Sequence, residues 1–323
     1  MYQPHLLGQK GATGATGPAG PAGPTGPAGP AGADCCTPIP DNATLTALWP
    51  PVAGVHTVAA NGCYCFGSFA LTAGNRIQVP AGIYCRFTGA GPASELEGSV
   101  LAPVISLAAT SRFYCDNLKI RQLLAHDCLF CATTECYLIQ MAMFANDVGD
   151  GLNVSTSSKA DLTQVRITNA VRGIQMSGGE VYAQGLDVET VDMVLEVTGN
   201  SDVIQVENIR ANNVTGGAAF VQNGGNVSTS FTTRNARANS LTTWFFRNAG
   251  TIAPYVDISG IKATNLTNQL FNPNAQVPAS MTCIYRNSVN GPAPTLFAGG
   301  FTTGSANARV RANSVNNVLQ AEV

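Results

Sequence analysis

The stretch GQKGATGATGPAGPAGPTGPAGPAGADCC, residues 8–36, carries glycine at every third position over nine consecutive triplets. Three polyproline-II chains can wind around a common axis only where every third residue is glycine, because no larger residue fits at that axis. The uninterrupted period therefore predicts a triple helix over residues 8–34, and a triple helix requires a homotrimer. The axial positions are Gly8, Gly11, Gly14, Gly17, Gly20, Gly23, Gly26, Gly29 and Gly32.

Proline fills the first variable position of five triplets and the second position of none. The stretch resembles the collagen-like stems of bacterial and viral surface proteins, and this resemblance ends at Asp34. At about 3.1 Å per residue the stem would be roughly 80 Å long. Nine triplets are few for a triple helix on its own, so we expect the domain that follows to hold the three chains in register.

The stem is flanked by two short segments. Residues 1–7 (Met1 to Leu7) are too short to fold alone, and we interpret them as a peptide that attaches the protein to a larger assembly. Cys35 and Cys36 close the stem, where three chains would bring their thiols together. These cysteines form either interchain disulfides or a cluster of reduced thiols. Residues 35–55 contain several prolines without a period and are expected to be a connector.

The remaining chain, residues 56–323, carries a repeat of polar anchors that precede aliphatic positions. Successive anchors recur at intervals of about 21–26 residues, which is the length that one coil of a β-helix needs. Near its start, NRIQVPAGIYCRF (residues 75–87) is similar to the first coil of pectin-lyase-like right-handed parallel β-helices. We therefore predict an all-β, right-handed parallel β-helix. The anchors are Asn169, Thr190, Asn213, Asn239, Asn265, Asn287 and Asn313.

Stacked coils bury like residues above like, so the aliphatic positions of the repeat form the predicted interior. Residues 100–154 are richer in sulfur and bulky side chains, and they form either earlier coils or the place where protomers meet. The predicted interior positions are Val165, Ile167, Val171, Ile174, Leu186, Val188, Val194, Val206, Ile209, Val214, Phe220, Val256, Ile258, Ile261 and Leu266.

Four residues in one short segment are of the types that bind zinc: His126, Cys128, Cys131 and Cys136. The cysteines alternate with phenylalanine and leucine in the manner of core residues. We therefore favour buried thiols over a metal site, and we expect no metal or other cofactor.

The densest acidic region contains Asp187, Glu189 and Asp192. Enzymes that hydrolyse glycans use a pair of carboxyl groups, and side chains two residues apart on a strand share one face. Asp187, Glu189 and the nearby Asp192 are therefore candidate catalytic residues. The alternative is a solvated polar surface.

Trp244, Phe245, Phe246 and Arg247 are the densest aromatic group of the C-terminal half. Exposed rings stack on sugars, so this group is a candidate glycan-binding site. The alternative is that these rings fill a wide coil or a trimer interface.

Only 11% of the residues are charged and the formal net charge is −2, which argues against a nucleic-acid partner. The chain begins without a signal-peptide pattern and has no apolar run of about 20 residues, so we expect cytoplasmic synthesis in a host without membrane insertion.

A short tether, a collagen-like stem and a β-helical body together resemble the fibres and spikes of tailed bacteriophages and other large viruses. The resemblance implies a virion appendage that binds a host-surface glycan or another receptor without enzymatic activity. Two alternatives stay open, namely a polysaccharide depolymerase that uses the outward carboxylates and a structural surface filament.

Overall fold

The structure is a computed structural model that describes residues 36–155, 158–215, 218–222, 227–241, 244–248, 255–264, 269–271, 276–277, 281–285, 287–289, 295–297, 302–303, 308–311, 314–315 and 318–319. Side chains are described for residues 36–155, 158–215, 227, 230–238, 257–264 and 287. The predicted stem, residues 8–34, and Cys35 lie outside the described residues. The triple helix and the homotrimer therefore remain predictions.

The described chain is almost entirely β-structure, with one α-helix, α1 (Asn42–Leu48). The strands are β1 (Cys36–Ile39), β2 (Val55–Thr57), β3 (Gly62–Phe66), β4 (Phe69–Ala70), β5 (Arg76–Val79), β6 (Tyr84–Gly89), β7 (Glu95–Gly98), β8 (Ile105–Leu107), β9 (Arg112–Asp116), β10 (Lys119–Gln122), β11 (Leu129–Cys131), β12 (Glu135–Ile139), β13 (Ala142–Phe144), β14 (Asp150–Val154), β15 (Lys159–Thr163), β16 (Arg166–Met176), β17 (Gly179–Gln184), β18 (Asp187–Val197), β19 (Ser201–Glu207), β20 (Arg210–Val214), β21 (Ala218–Gln222), β22 (Val227–Arg234), β23 (Arg237–Leu241), β24 (Trp244–Asn248), β25 (Tyr255–Ser259), β26 (Lys262–Thr264), β27 (Gln269–Phe271), β28 (Gln276–Val277), β29 (Met281–Tyr285), β30 (Ser288–Val289), β31 (Thr295–Phe297), β32 (Thr302–Thr303), β33 (Ala308–Arg311), β34 (Ser314–Val315) and β35 (Val318–Leu319).

These strands wind into a right-handed parallel β-solenoid, which confirms the predicted fold of the body. Each turn contributes to three faces. Face A is a 12-stranded parallel sheet made of β1, β3, β6, β9, β12, β15, β17, β19, β22, β25, β29 and β33. Face B1 contains β4, β7, β10, β13, β20, β23, β26, β30 and β34, and face B2 contains β2, β5, β8, β11, β14, β21, β24, β27 and β31. The long strands β16 and β18 bend through the corner and belong to both B faces.

Residues that pair between neighbouring turns define the length of each coil. The register partners Asp150 and Arg172 are 22 residues apart, whereas Cys36 and Cys63, also register partners, are 27 residues apart. The coil that leads from Arg86 to its partner Tyr114 is longer still. The predicted coil length of about 21–26 residues therefore describes the middle of the body, and some coils are longer.

Left-handed backbone conformations mark the corners of the solenoid. At the corner between faces B1 and B2, the anchors Asn169, Thr190 and Asn213 have φ of 52°, 53° and 54°. Asparagine tolerates this conformation better than most residues. Asn287 does not belong to this column, because it immediately precedes β30 at the corner between faces A and B1. There it is buried, and its Oδ1 accepts from the backbone N–H of Ile261 at 3.0 Å.

The corner between faces A and B1, termed corner AB, carries a second ladder of left-handed residues that the sequence analysis missed. Each of these residues follows the end of a face A strand and turns the chain sharply onto face B1. The ladder consists of Asn117, Gln140, Gln164, Gly185, Asn208, Asn235 and Gly260.

The interior consists of columns of side chains repeated from turn to turn. One column joins Phe87, Cys115, Leu138 and Leu162 through the strand register, and each of these is at most 2% exposed. Burying such a side chain contributes about 1.5–3 kcal/mol. Most predicted interior positions are buried: Val165, Ile167, Ile174, Leu186, Val188, Val194, Val206, Ile209, Val214, Ile258 and Ile261. Val171 is half-buried, and the side chains of Phe220, Val256 and Leu266 lie outside the described residues.

Residues 36–55 are part of the solenoid, which corrects the expectation of a connector over residues 35–55. Asp41 caps α1 by accepting from the backbone N–H of Thr44 at 2.7 Å. Leu45 is the buried residue of α1, and the ring centroids of Trp49 and Tyr64 are 4.8 Å apart. The segment thus covers apolar side chains at the start of the body.

Cys36 forms a disulfide with Cys63, its register partner on face A. Cys36 is bonded within the chain in this structure, and so is neither of the two predicted alternatives, an interchain disulfide or a reduced thiol. An interchain disulfide at Cys35 stays a prediction. Within the described residues, no helix is long and apolar enough to cross a membrane.

Two glycines with nearly equal φ test how closely the turns approach one another. Gly179 and Gly82 have φ of 74° and 75°, but a Cβ at Gly179 would overlap the backbone of Ser158, whereas one at Gly82 would have free space. Gly82→Ala should therefore cost about 1 kcal/mol of unfolding free energy for the left-handed conformation. Gly179→Ala should cost at least about 2 kcal/mol more because of the overlap. Equal melting temperatures of the two variants in thermal unfolding would contradict this packing.

Candidate ligand-binding face

Tyrosines and cations cover the outer side of face A between β6 and β17. Along β9, Phe113 and Cys115 point into the core, so the alternating residues Arg112 and Tyr114 point outward. The same alternation exposes the equivalent residues of neighbouring strands. We term this surface the tyrosine face, and it consists of Tyr84, Arg86, Arg112, Tyr114, Tyr137, Lys159 and Tyr182.

The register places the rings of the tyrosine face along the solenoid axis. Tyr114 pairs with Tyr137, and their ring centroids are 6.2 Å apart. Asp161 follows Tyr137 in the same column, and Tyr182 follows Asp161. Neighbouring strands are about 4.8 Å apart, so this column presents aromatic and acidic groups at a nearly constant interval.

Each of three cations lies over a tyrosine ring. The guanidinium carbon of Arg86 is 4.9 Å from the Tyr114 centroid, and that of Arg112 is 5.1 Å from the Tyr84 centroid. The Lys159 ammonium is 5.0 Å from the centroid of Tyr182. These are cation–π distances, and such contacts contribute about 0.5–1 kcal/mol at exposed sites. They restrict the rings to defined orientations before any ligand arrives.

Carboxylates form ion pairs with the same three cations. Arg112 lies 3.2 Å from Glu135, Lys159 lies 3.5 Å from Asp161, and Arg86 pairs with Asp116. Donors and acceptors therefore surround the ring faces.

Two shallow grooves follow the tyrosine face. One has a volume of about 440 Å³ and is lined by Tyr84, Arg112, Tyr114, Glu135 and Tyr137, among others. The second, of about 280 Å³, is lined by side chains that include Asp161, Tyr182 and Gln205. The larger groove lies within the size range of small-ligand sites, and its lining combines aromatic rings with a few polar groups.

The Tyr182 hydroxyl lies 3.2 Å from Glu180. Partial burial and the neighbouring Glu180 carboxylate raise the pKa of Tyr182, so its hydroxyl stays protonated and can donate a hydrogen bond at neutral pH.

The tyrosine face was not predicted from the sequence, although its tyrosines recur at the coil length. Tyr114 and Tyr137 are one coil apart, and Tyr182 is two coils further along the chain. Tyrosines recurring at the coil length predict an outward ladder, provided that the register of face A is known.

The predicted acidic group lies on β18. Asp187 and Glu189 point outward on either side of the buried Val188, as expected, and both lie beside Arg166. The Arg166 guanidinium is 2.7 Å from Glu189 and 4.0 Å from Asp187. Asp192 lies beyond the corner and accepts from the Thr215 hydroxyl at 2.6 Å. A catalytic role for these carboxylates stays a prediction.

Of the candidate metal ligands, Cys131 and Cys136 are neighbours in the core, and the four residues do not form one cluster. Cys128, Cys131 and Cys136 are buried in the core, and the Cys128 thiol donates to the Phe144 carbonyl at 3.2 Å. Burial raises the pKa of Cys128 to about 12 and that of Cys136 well above its usual value, so both stay protonated. His126 is partly exposed at a corner. Over the described part of the chain, no group of three metal-binding side chains occurs.

The aromatic group Trp244, Phe245, Phe246 and Arg247 lies on β24 of face B2. Its backbone pairs with β21, so that Trp244 is opposite Ala218. The side chains of this group lie outside the described residues, and its role in binding stays a prediction.

An ion network with two buried carboxylates lies on face B2. The Arg172 guanidinium is 2.7 Å from both Asp150 and Glu196, whose side chains are 2% and 7% exposed. Burial raises the pKa of Asp150 to about 6, against the opposing effect of Arg172, and the nearby Asp127 and Glu196 carboxylates add to the rise. With so little exposure, this network serves the structure rather than a ligand.

Comparison with known proteins adds no argument about the family or the function. No protein-family profile and no curated protein matches the chain. The solved structure of ORF18 from Geobacillus virus E2 is similar at 10% sequence identity, with a TM-score of 0.30. The similarity covers 82% of this chain and 57% of that chain, so this chain spans little more than half the length of ORF18. A likeness at this level assigns neither a family nor a function.

The raised pKa of Asp150 predicts a dependence of stability on pH. Because the folded-state pKa of about 6 lies above the unfolded value near 3.8, the contribution of Asp150 to stability is complete below about pH 4. It is lost as the pH rises through 6, at a cost of up to about 3 kcal/mol. The melting temperature of Asp150→Asn relative to the wild type should therefore increase between pH 4.5 and pH 7.5.

Asp147→Asn is the matched control, because Asp147 is exposed at a corner and asparagine tolerates its left-handed backbone. Its melting temperature should follow that of the wild type across the pH range. Parallel pH profiles of Asp150→Asn and the wild type would contradict the raised pKa.

Proposed function

We propose that this chain is a trimeric virion fibre or spike whose β-solenoid binds a host-surface glycan through the tyrosine face. The observation that carries the proposal is the row of tyrosine rings on the outside of face A, three of which lie under a cation. A structural filament needs no such outward row.

The chemistry of the tyrosine face suits sugars. A pyranose ring has an apolar face of C–H groups that packs on tyrosine, and hydroxyl groups around its edge that need donors and acceptors. Arg112 and Glu135, 3.2 Å apart, offer both beside the Tyr114 and Tyr137 rings. Several rings in one column can contact consecutive sugars of a chain that runs along the solenoid axis.

The predicted triple-helical stem adds to the proposal by multiplying the sites. Three copies on one rod can bind a cell surface far more tightly than a single copy, because the second and third contacts form at a high effective concentration. Residues 1–7 would attach the stem to the particle.

The experiment is a glycan array probed with the full-length protein and with Tyr137→Ala. We expect a restricted set of surface glycans to bind and Tyr137→Ala to lower the affinity about tenfold through lost ring contact. Tyr137→Phe should retain most of the affinity, since the ring remains. Leu101→Ala is the control, because Leu101 is 76% exposed and lies away from the tyrosine face.

Light scattering on the same sample should give the mass of three chains, and Gly20→Ala should weaken that assembly because it interrupts the triplet period. No binding to any glycan, together with end-to-end assembly, would replace the proposal by the filament alternative. Shortening of a bound polysaccharide that is abolished by Glu189→Gln would favour the depolymerase.

A further inference from the structure

A third groove runs along corner AB, separate from the tyrosine face. It has a volume of about 790 Å³ and extends over five successive turns. Its floor includes the aliphatic residues Val165, Leu186 and Ile209, and the left-handed corner residues lie along its face A side. One wall is the first outward position of each face B1 strand. We term this cavity the corner groove.

The wall of the corner groove is a column of charged side chains in strand register. Arg166 pairs with Asp187, Asp187 with Arg210, Arg210 with Arg237, and Arg237 with Lys262. All five line the groove, and the four cations are exposed. The wall therefore carries four positive charges and one negative charge, on a chain whose formal net charge is −2.

Elsewhere the solenoid places opposite charges in neighbouring turns. Like charges directly opposite each other on adjacent strands destabilise a sheet, whereas opposite charges stabilise it. Outside the groove, the sequence follows this rule for three register pairs that form ion pairs: Arg112 with Glu135, Arg121 with Glu97 and Arg172 with Asp150.

The corner groove breaks this rule. Arg210, Arg237 and Lys262 follow one another in three consecutive turns, about 4.8 Å apart, so that the cations repel. Among the described side chains, none of the three has a carboxylate within 4.0 Å. Positions at which a sequence gives up local stability are expected at functional sites. An anion in the groove would relieve the repulsion.

We propose that the corner groove binds an anionic polysaccharide that lies extended along the solenoid axis. The three cations span about 10 Å, which is two strand spacings. Acidic groups carried on neighbouring or alternate sugars of one chain can each approach a cation across this distance. The single carboxylate, Asp187, lies beside Arg166 at one side of the run and leaves the three unpaired cations to the ligand.

The opposite wall suits the hydroxyl groups of such a chain. Gln164, Asn208 and Asn235 are exposed amides at corner AB, and the Asn235 amide lies 3.4 Å from that of Asn208. Amides offer both donors and acceptors. Among the described residues that line the groove, none is aromatic. Single-stranded nucleic acid needs aromatic rings on which its bases stack, so the lining favours an acidic glycan over a nucleic acid.

The experiment measures binding of the full-length protein to polygalacturonate, with neutral dextran and single-stranded poly(dT) as comparisons, at low and at physiological salt. We expect polygalacturonate to bind with a strong salt dependence and dextran not to bind at this groove. Arg237→Gln should lower the affinity about fivefold, and Arg210→Gln with Lys262→Gln should lower it further.

Lys119→Gln is the matched control, because Lys119 is an exposed cation at the first position of the face B1 strand β10, outside the groove. It should leave polygalacturonate binding unchanged, as should Tyr137→Ala on the tyrosine face. The second result separates this inference from the proposed glycan site.

The free protein offers a readout that needs no ligand. Arg237→Gln should raise the melting temperature at low salt, since it removes repulsion from both neighbours, and added salt should reduce the gain. A lower melting temperature would mean that the cation column stabilises the fold. The inference would be overturned by that result, by equal binding of polygalacturonate to the wild type and Arg237→Gln, or by tighter binding of poly(dT).

Discussion

Parallel hydrogen bonding between successive turns is the constraint on which the rest of this structure depends. It places each residue directly over its counterpart one coil away, about 4.8 Å along the axis. A side chain inside the coil therefore lies above a similar side chain, and the result is a continuous apolar core. The same rule acts outside, where Tyr114 is stacked on Tyr137 and Arg210 on Arg237. Single residues repeated at the right interval thus become extended surfaces.

The fold of the body could be predicted from sequence because the coil length recurs and because polar residues mark the corners. The surfaces could not, since they depend on register. The coil that joins Cys36 to Cys63 is longer than the one that joins Asp150 to Arg172, so a fixed period slips out of phase after a few turns. Asn287 illustrates this slip, because it has the spacing of the other anchors but lies at a different corner. The left-handed residues of corner AB mark the same point in successive turns. However, glutamine, asparagine and glycine all occur there, so no single residue type identifies that point in the sequence.

Two further differences between the sequence predictions and the structure have local causes. The segment over residues 36–55 lacks the period because its coil carries α1 between β1 and β2, with Leu45 and Trp49 buried. Asp187 and Glu189 lie on one face, as strand alternation requires. Both lie beside Arg166, which is one turn away, and this contact changes how the pair is interpreted. Contacts between residues about one coil apart in sequence cannot be predicted until the register is known. Both proposed surfaces follow the solenoid axis, which is the direction along which a polymer on a cell surface could contact several turns at once.

The register itself can be tested by engineered disulfides on face A, where Cys36 and Cys63 already join register partners. Gln184 pairs with Glu207, so cysteines at these two positions should lie within the distance that a disulfide spans. Cysteines at Gln184 and Gln205 should be about 8 Å apart and too far for the bond. Mass mapping of the oxidised full-length variants should find the first bond in high yield and the second absent. Equal yields, or a preference for the second pair, would contradict the register and with it both proposed surfaces.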